Sequence, residues 1–355
     1  MKILMLVNWK IKYSDTVPDG VQPPDYYVPG LKYWFFRYFE NQDITVDVVD
    51  IGHSGVFERF EREKLRFYIR QTIRCIGKFG KYDVVLSHGM QSGIVLCLLR
   101  RLFGKGKYKH IVFDIGAFNS AREEGRALKF MQFAGKSLDG VIYHTKSQKE
   151  YYEKCHPWLV DKCVYIPFGT DAEFFTTDSD KVDICEEKYV LCVGSDKRDW
   201  DTLTKAYLNT NQKYKLRLIG NSSVETNSEN IEVLGRVSIE ELKNQICSAA
   251  FCVLPLKYMN YSFGQMTLLQ QMALGRAVIV ADVPSVEEYI DEKHLVSYEP
   301  ENAEDLKEKL QKLMDDSELC KELGNNAKEA VRSFYNEEIM AKRIEKAIYE
   351  FVKEA

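Results

Sequence analysis

The stretch that decides the fold is Ser262-Phe263-Gly264-Gln265-Met266-Thr267-Leu268-Leu269-Gln270-Gln271-Met272-Ala273-Leu274-Gly275-Arg276-Ala277-Val278-Ile279-Val280. A glycine loop enters a helix, the helix stops at Gly275, and a buried strand follows at once. By itself the stretch reads either as an ordinary helix–strand unit punctuated by glycines or as an anion site. The second reading rests on the helix start. Amides there lack intrahelical partners and the positive end of the helix dipole is exposed, which suits a diphosphate.

Outward from this stretch, strands and helices alternate along the chain. Apolar runs predict strands over 3–7, 46–50, 84–86, 111–113 and 140–143. Helical periodicity covers 33–39, 57–79, 94–102, 122–133 and 148–153. Turn chemistry and a polar run break the pattern over 167–187. It then restarts with strands over 189–193, 216–219, 231–234, 251–254 and 277–280, and with helices over 202–207, 239–247 and 267–274. Alternation of this kind predicts an α/β chain of two doubly wound, Rossmann-like domains. The expected division is an acceptor-binding domain over 1–168, a linker over 169–187 and a donor-binding domain over 188–335. A last helix over 336–355 is expected to pack back toward the first domain. Ligands of such sheets bind beyond the carboxyl ends of the strands, so a central cleft is the expected site.

Composition agrees. The 355 residues suggest about two domains. Apolar residues make up 45% and charged residues 29%, enough for real cores. The net charge of −4 argues against a nucleic-acid binder. That value averages opposite halves: residues 1–170 carry 26 Lys/Arg and 18 Asp/Glu, the remainder 23 and 35. The apolar run 3–7 is too short for a signal-peptide core, and 94–99 is far below the roughly 20 residues that span a bilayer. Nine scattered cysteines form no Cys-x-x-Cys pair, so free thiols in a reducing cytoplasm are expected.

The 262–280 stretch resembles the donor-binding motif of GT-B-fold glycosyltransferases, especially family 4 (glycosyl transferases group 1). Other blocks fit in order: Tyr82 to Gly89, Val164 to Asp171, Tyr189 to Gly194, Asn230 to Ser238 and Phe251 to Pro255. The resemblance covers nearly the whole chain. It implies transfer of a sugar from a UDP- or GDP-linked donor to a glycan or lipid-linked acceptor, with retention of configuration, no metal and no further cofactor. It implies that Gly264, Gln265, Met266 and Thr267 cradle the donor diphosphate, and that Arg198 is the phosphate-binding cation, with Lys197 a weaker candidate. Arg236 and Val237 would line the base pocket. The family carries two glutamates with seven residues between them. The second, a ribose contact, falls on Gln270, whose amide can still bond a hydroxyl. The first falls near Tyr261 or Ser262, with Asn260 as a stand-in. Asp114 occupies the place of the family's active-site histidine, either facing the cleft as a catalytic group or capping a turn. His88, also at a strand end, either lines the cleft or caps the strand. The loop around Gly20, Tyr26, Tyr27 and Gly30 is where an acceptor would approach, unless its aromatics simply pack on one another.

Two further features bear on partners. Arg59, Arg62, Arg66, Arg70 and Arg74 recur every three or four residues, which predicts one basic stripe on a continuous helix. The stripe reads as a solvated face or as a patch for an anionic membrane surface, in which case the enzyme would lie on the inner face of the plasma membrane. Asp178-Ser179-Asp180 matches a metal-binding Asp-x-Asp but lies in the polar linker, where solvated charge is expected. The departures from the family pattern keep two alternatives open: a nucleotide-sugar-binding protein without catalysis, and another GT-B enzyme such as a sugar-nucleotide epimerase.

Overall fold

A computed structural model describes all residues except 53–54, 117, 119–122, 177–186, 195–196, 221–223 and 354–355. The Asp178-Ser179-Asp180 match therefore lies outside the described residues. The chain forms two compact units. The first comprises Met1–Pro167, Asn260–Phe263 and Glu338–Ala355; the second comprises Phe168–Met259 and Gly264–Glu337.

The first unit contains strands β1 (Lys2–Leu6), β2 (Lys12–Tyr13), β3 (Tyr26–Tyr27), β4 (Thr45–Val49), β5 (Val84–His88), β6 (Lys109–Asp114), β7 (Gly140–Tyr143) and β8 (Cys163–Tyr165). Its helices are α1 (Val56–Phe60), α2 (Ile69–Ile73), α3 (Met90–Phe103), α4 (Arg126–Gly135) and α5 (Gln148–Cys155). Six of the strands form one parallel sheet in the order β4-β1-β5-β6-β7-β8. Ile3, Met5, Leu6, Val84, Val85 and Leu86 are wholly buried, as apolar strands covered on both faces must be. Under α3 and α4, Ile94, Cys97, Val112, Leu128 and Leu138 form a core with Tyr152.

The second unit repeats the plan with β9 (Tyr189–Val193), α6 (Trp200–Leu208), β10 (Lys215–Ile219), β11 (Ile231–Leu234), α7 (Ile239–Ser248), β12 (Phe251–Leu254), α8 (Gln265–Ala273), β13 (Val278–Ala281) and β14 (Val296–Tyr298). Helices α9 (Ala303–Asp315), α10 (Ser317–Phe334) and α11 (Glu337–Lys353) follow. Its parallel sheet has the order β11-β10-β9-β12-β13-β14. Each sheet reverses its winding once, between β1 and β5 in the first unit and between β9 and β12 in the second. Such switch points open a crevice at the carboxyl ends of the strands.

Residues 168–176 pack within the second unit: Thr170 N donates to the Tyr335 carbonyl at 3.0 Å, and Phe175 is buried. Most of α11 belongs to the first unit, where Glu345 accepts from the Glu40 and Asn41 amides at 2.7 and 3.0 Å.

The structure corrects the single arginine stripe. α1 runs into a π-helical turn (Glu61–Leu65), Arg66 turns left-handed at φ 60°, Tyr68 is extended, and α2 begins anew. The cause is Glu61. Its buried side chain accepts the Arg70 amide at 2.9 Å and its carbonyl accepts the Arg66 amide at 2.6 Å. Arg59 and Arg62 therefore lie on one helical segment and Arg70 on another. Arg59 pairs with Glu63, Arg62 with Glu58 and Glu63, and Arg74 with Asp50. The predicted 33–39 helix is a 3-10 helix over Trp34–Tyr38.

Candidate functional site

In the second unit the sequence-chosen residues gather at the carboxyl edge of the sheet. Arg198 follows β9 and forms an isolated antiparallel bridge with Leu256, which follows β12. This fixes it at the switch point. Its side chain is 6% exposed. Nε donates to the Val193 carbonyl at 3.0 Å and Nη2 to the Thr267 hydroxyl at 3.2 Å. Among the described residues no carboxylate pairs with it. Burial lowers its pKa from the ordinary value, partly opposed by the Cys192 thiol beneath it, yet a guanidinium keeps its proton at neutral pH.

Gly264 is the N-cap of α8 at φ 77°, a left-handed conformation that glycine adopts without strain. A Cβ here would also meet the Leu256 methyls at 2.8 Å. Gln265 is buried, whereas Met266, Thr267 and Gln270 are partly exposed. The first turn of α8, the Thr267 hydroxyl and the Arg198 guanidinium thus converge beyond β9 and β12. Gly194 makes this possible: a Cβ there would lie 2.3 Å from Arg198 Nε. Gly220, after β10, approaches Gly194 as closely, since a Cβ would lie 2.1 Å from the Gly194 carbonyl oxygen. The Gly220 amide donates to the Leu234 and Gly235 carbonyls, each at 3.3 Å. The loop bearing Arg236 and Val237 is drawn to the same edge. Arg236 and Lys197 are exposed and Val237 is half-buried.

In the first unit His88 ends β5 at the other switch point, 8% exposed. Its Nδ1 lies 3.3 Å from Asn8 Oδ1, and its ring meets Trp9 edge-on at 4.7 Å and Trp34 at 5.7 Å. Trp34 holds φ 46°, a strained conformation for a bulky residue. Burial, reinforced by His144, pushes the His88 pKa down to about 3. His144, just after β7, is buried and donates from Nδ1 to the Ile166 carbonyl 2.7 Å away; burial pushes it down to about 4. A carbonyl can only accept, so the proton sits on Nδ1. Phe113 lies between the two imidazoles, 6.0 Å from His88 and stacked on His144 at 5.9 Å.

Asp114 requires a correction. The expectation of a catalytic carboxylate facing open space does not hold, because its side chain is fully buried. Oδ2 accepts from Gln148 Nε2 at 2.9 Å and from the Tyr152 hydroxyl, and Oδ1 accepts the Gly116 amide at 2.9 Å. It is the turn cap of the alternative reading. The turn it holds has Gly116 at φ 110°, where a Cβ would lie 2.6 Å from the Tyr261 ring. Asn260 accepts from the Ser147 hydroxyl within the same unit. The aromatic loop forms a cavity of about 240 Å³ lined by Pro23, Tyr26, Tyr27, Leu31, Trp34 and Arg37. Tyr27 packs on Tyr13 and Tyr33, with ring centroids 5.8 and 6.2 Å apart. Gly20 and Gly30 lie exposed at its turns with φ 63° and 87°.

Sequence reasoning missed His144, Trp9 and Trp34. The position of His144, directly after the predicted strand 140–143, was the available signal. The two tryptophans gave none, since their meeting with His88 depends on the path of the loop between them.

Residues 187–316 match the family model described as glycosyl transferases group 1. The chain is 28% identical over 215 residues to an uncharacterized glycosyltransferase of Methanocaldococcus jannaschii, a match spanning 58% of each protein. It is structurally similar to sucrose-phosphate synthase from Thermosynechococcus elongatus, with a TM-score of 0.74 and 18% identity over the full length of both chains. HepE from Anabaena, solved with UDP and glucose, gives a TM-score of 0.71 at 12% identity over 99% of this chain and 100% of that one. These likenesses establish the two doubly wound units as a GT-B fold.

Proposed function

We propose, for a chain that carries the glycosyl transferases group 1 segment on a GT-B fold, that it moves a sugar from a nucleotide-diphosphate donor, UDP- or GDP-linked, to a carbohydrate or lipid-linked acceptor. The observation that carries this reading is Arg198, a buried cation with no carboxylate partner among the described residues, bonded to Thr267 at the start of α8. An uncompensated buried charge is costly, by about several kcal/mol. A diphosphate seated on the helix start offsets that cost. HepE from Anabaena, solved with UDP and glucose on the same fold, supports a uridine donor.

The chemistry follows from the charges. Breaking the bond between the sugar's anomeric carbon and the phosphate oxygen leaves negative charge on the diphosphate. Arg198, the amides of the first turn of α8 and the Thr267 hydroxyl are fixed where that charge grows, so they need little reorganisation. Gln270, one turn along α8, offers both a donor and an acceptor to ribose hydroxyls. The acceptor hydroxyl attacks the anomeric carbon from the face the diphosphate leaves, and its proton passes to the departing phosphate oxygen. Configuration is retained, and in this reading the protein's own groups neutralise the charge without a metal or further cofactor.

A thermal-shift series of nucleotide sugars tests the donor. Ligand at 100 times its Kd stabilises a fold by about 2.7 kcal/mol. One donor should raise the melting temperature of the wild type and leave Arg198→Ala unmoved, while without ligand Arg198→Ala melts no lower than the wild type. Turnover with that donor should fall by orders of magnitude in Arg198→Ala; near-normal turnover rejects the assignment. Gln270, and Tyr261 or Ser262, stand where the family has acidic residues, and this favours a second reading: a nucleotide-sugar-binding protein without catalysis. Consumption of the bound donor excludes it.

The acceptor side of the proposal includes an anionic membrane surface. Val56 is 87% and Phe103 83% exposed, and Phe57, Phe60, Leu102 and Phe133 are also exposed. Arg70 lies over the Phe57 ring and Arg101 over the Phe133 ring. Exposed aromatics beside arginines suit the headgroup region. Among the described residues no helix is long and apolar enough to cross a membrane.

A further inference from the structure

The second unit has another cavity, of about 600 Å³, at the amino-terminal edge of its sheet. Lys188, Tyr214, Ala250 and Ala277 lie just before β9, β10, β12 and β13, so this edge is opposite the one bearing Arg198 and Gly264. Its charged lining residues are Lys188, Arg276, Lys321 and Lys328, with no carboxylate among the lining residues. Residues 171–355 carry 23 cations against 35 anions, so four cations and no lining carboxylate run against the charge of this half.

Lys321 pairs with Glu318 at 2.6 Å. For Lys188, Arg276 and Lys328 no ion pair exists among the described residues. Arg276 Nη1 reaches the Ala249 carbonyl at 3.3 Å, and its Nε is buried without a hydrogen-bond partner. The three cations line the same cavity. Lys188 and Arg276 both act electrostatically on the Cys320 thiol, opposed there by Asp316 at the start of α10, and the Lys328 side chain lies 3.6 Å from where a Cβ on Gly275 would sit. Attraction to a helix carboxyl end accounts for Arg276, which bonds the residue after α7. It does not account for Lys188, ahead of β9, or for Lys328, in the middle of α10.

We propose that this cavity is a second anion site, taking a small phosphorylated molecule between Lys188, Arg276 and Lys328. Tyr214, Leu274 and Leu313 form its apolar wall. The site is separate from the donor diphosphate site, although α8 runs from one to the other.

Lysine acetylation followed by mass spectrometry tests the proposal on the full chain. The probe is inorganic pyrophosphate, with saturating UDP present throughout and sodium chloride added to equal ionic strength in the control. Pyrophosphate should slow acetylation of Lys188 and Lys328 at least several-fold and leave exposed Lys205 unchanged. Arg276→Gln should abolish that protection while melting as the wild type does. The same experiment on Arg198→Ala separates the two sites: protection should persist there. Equal reactivity of Lys188 and Lys328 with and without pyrophosphate overturns the proposal, as does loss of protection in Arg198→Ala or its survival in Arg276→Gln.

Discussion

Gly194 shows how a residue with no side chain can decide where a neighbouring cation sits. Any Cβ there falls 2.3 Å from Arg198 Nε and 2.6 Å from Cζ. The guanidinium cannot yield, because it is held between the Val193 carbonyl and Thr267. Gly194→Ala should therefore weaken UDP at least tenfold by titration calorimetry. Gly104→Ala is the control, since φ 95° imposes strain but no atom lies within 4 Å of the new Cβ. It should cost on the order of 1–3 kcal/mol of stability and leave UDP affinity unchanged. The prediction fails if both substitutions alter affinity alike. At this scale the helix start at Gly264 was legible as a local pattern, whereas Arg198 was singled out only by the family resemblance. It was misleading for Asp114. That residue's partners Gln148 and Tyr152 stand 34 and 38 positions on, brought near only when β6 and α5 pack.

The elements were legible wherever one period ran unbroken. Apart from β8 and β14, the strands of both sheets and helices α3, α6, α7 and α8 fall where apolar runs and periodicity put them, within a few residues. Periodicity failed over 57–79, because it cannot register a buried Glu61 that ends one segment and caps the next. The break also changes what the arginines can do. Arg59, Arg62 and Arg74 have carboxylate partners, whereas Arg66 is exposed and Arg70 covers Phe57. Membrane affinity should then depend more on the exposed rings than on the paired arginines. In liposome flotation with anionic lipid, Phe103→Ser with Val56→Ser should release the protein into the soluble fraction. Arg66→Glu should reduce binding by about the 1 kcal/mol of one headgroup contact, and Arg59→Glu by less. Flotation that is equal for all variants, or independent of anionic lipid, removes the membrane from the proposal.

At the scale of the molecule the two units share a winding plan but differ in their buried charge. The strand order of the second, β11-β10-β9-β12-β13-β14, is that of a dinucleotide-binding sheet, and the first departs from it by one strand position. Alternation in the sequence implied both sheets, while which strands sit at the switch points is a matter of tertiary pairing. The first unit alone buries four imidazoles whose pKa values are depressed by burial: His88 and His110 to about 3, His144 and His156 to about 4. In the unfolded chain each titrates near its ordinary value of about 6.5. Above that pH both states are neutral and the full stability is present. As pH falls below it the unfolded state binds protons first, so stability is lost progressively from pH 6.5 toward 4. At pH 5 the loss is on the order of 2 kcal/mol for each imidazole. Hydrogen exchange read by mass spectrometry at pH 5 and 7.5, corrected for intrinsic rates, should show opening in Met1–Pro167 at the lower pH. Peptides from 189–335 should stay protected. His110→Asn should reduce the dependence by about one imidazole's share in four, because an amide in that buried position between Ser87 and Cys97 carries no titrating proton. Equal loss of protection in both units would mean that burial of these imidazoles does not govern the acid response.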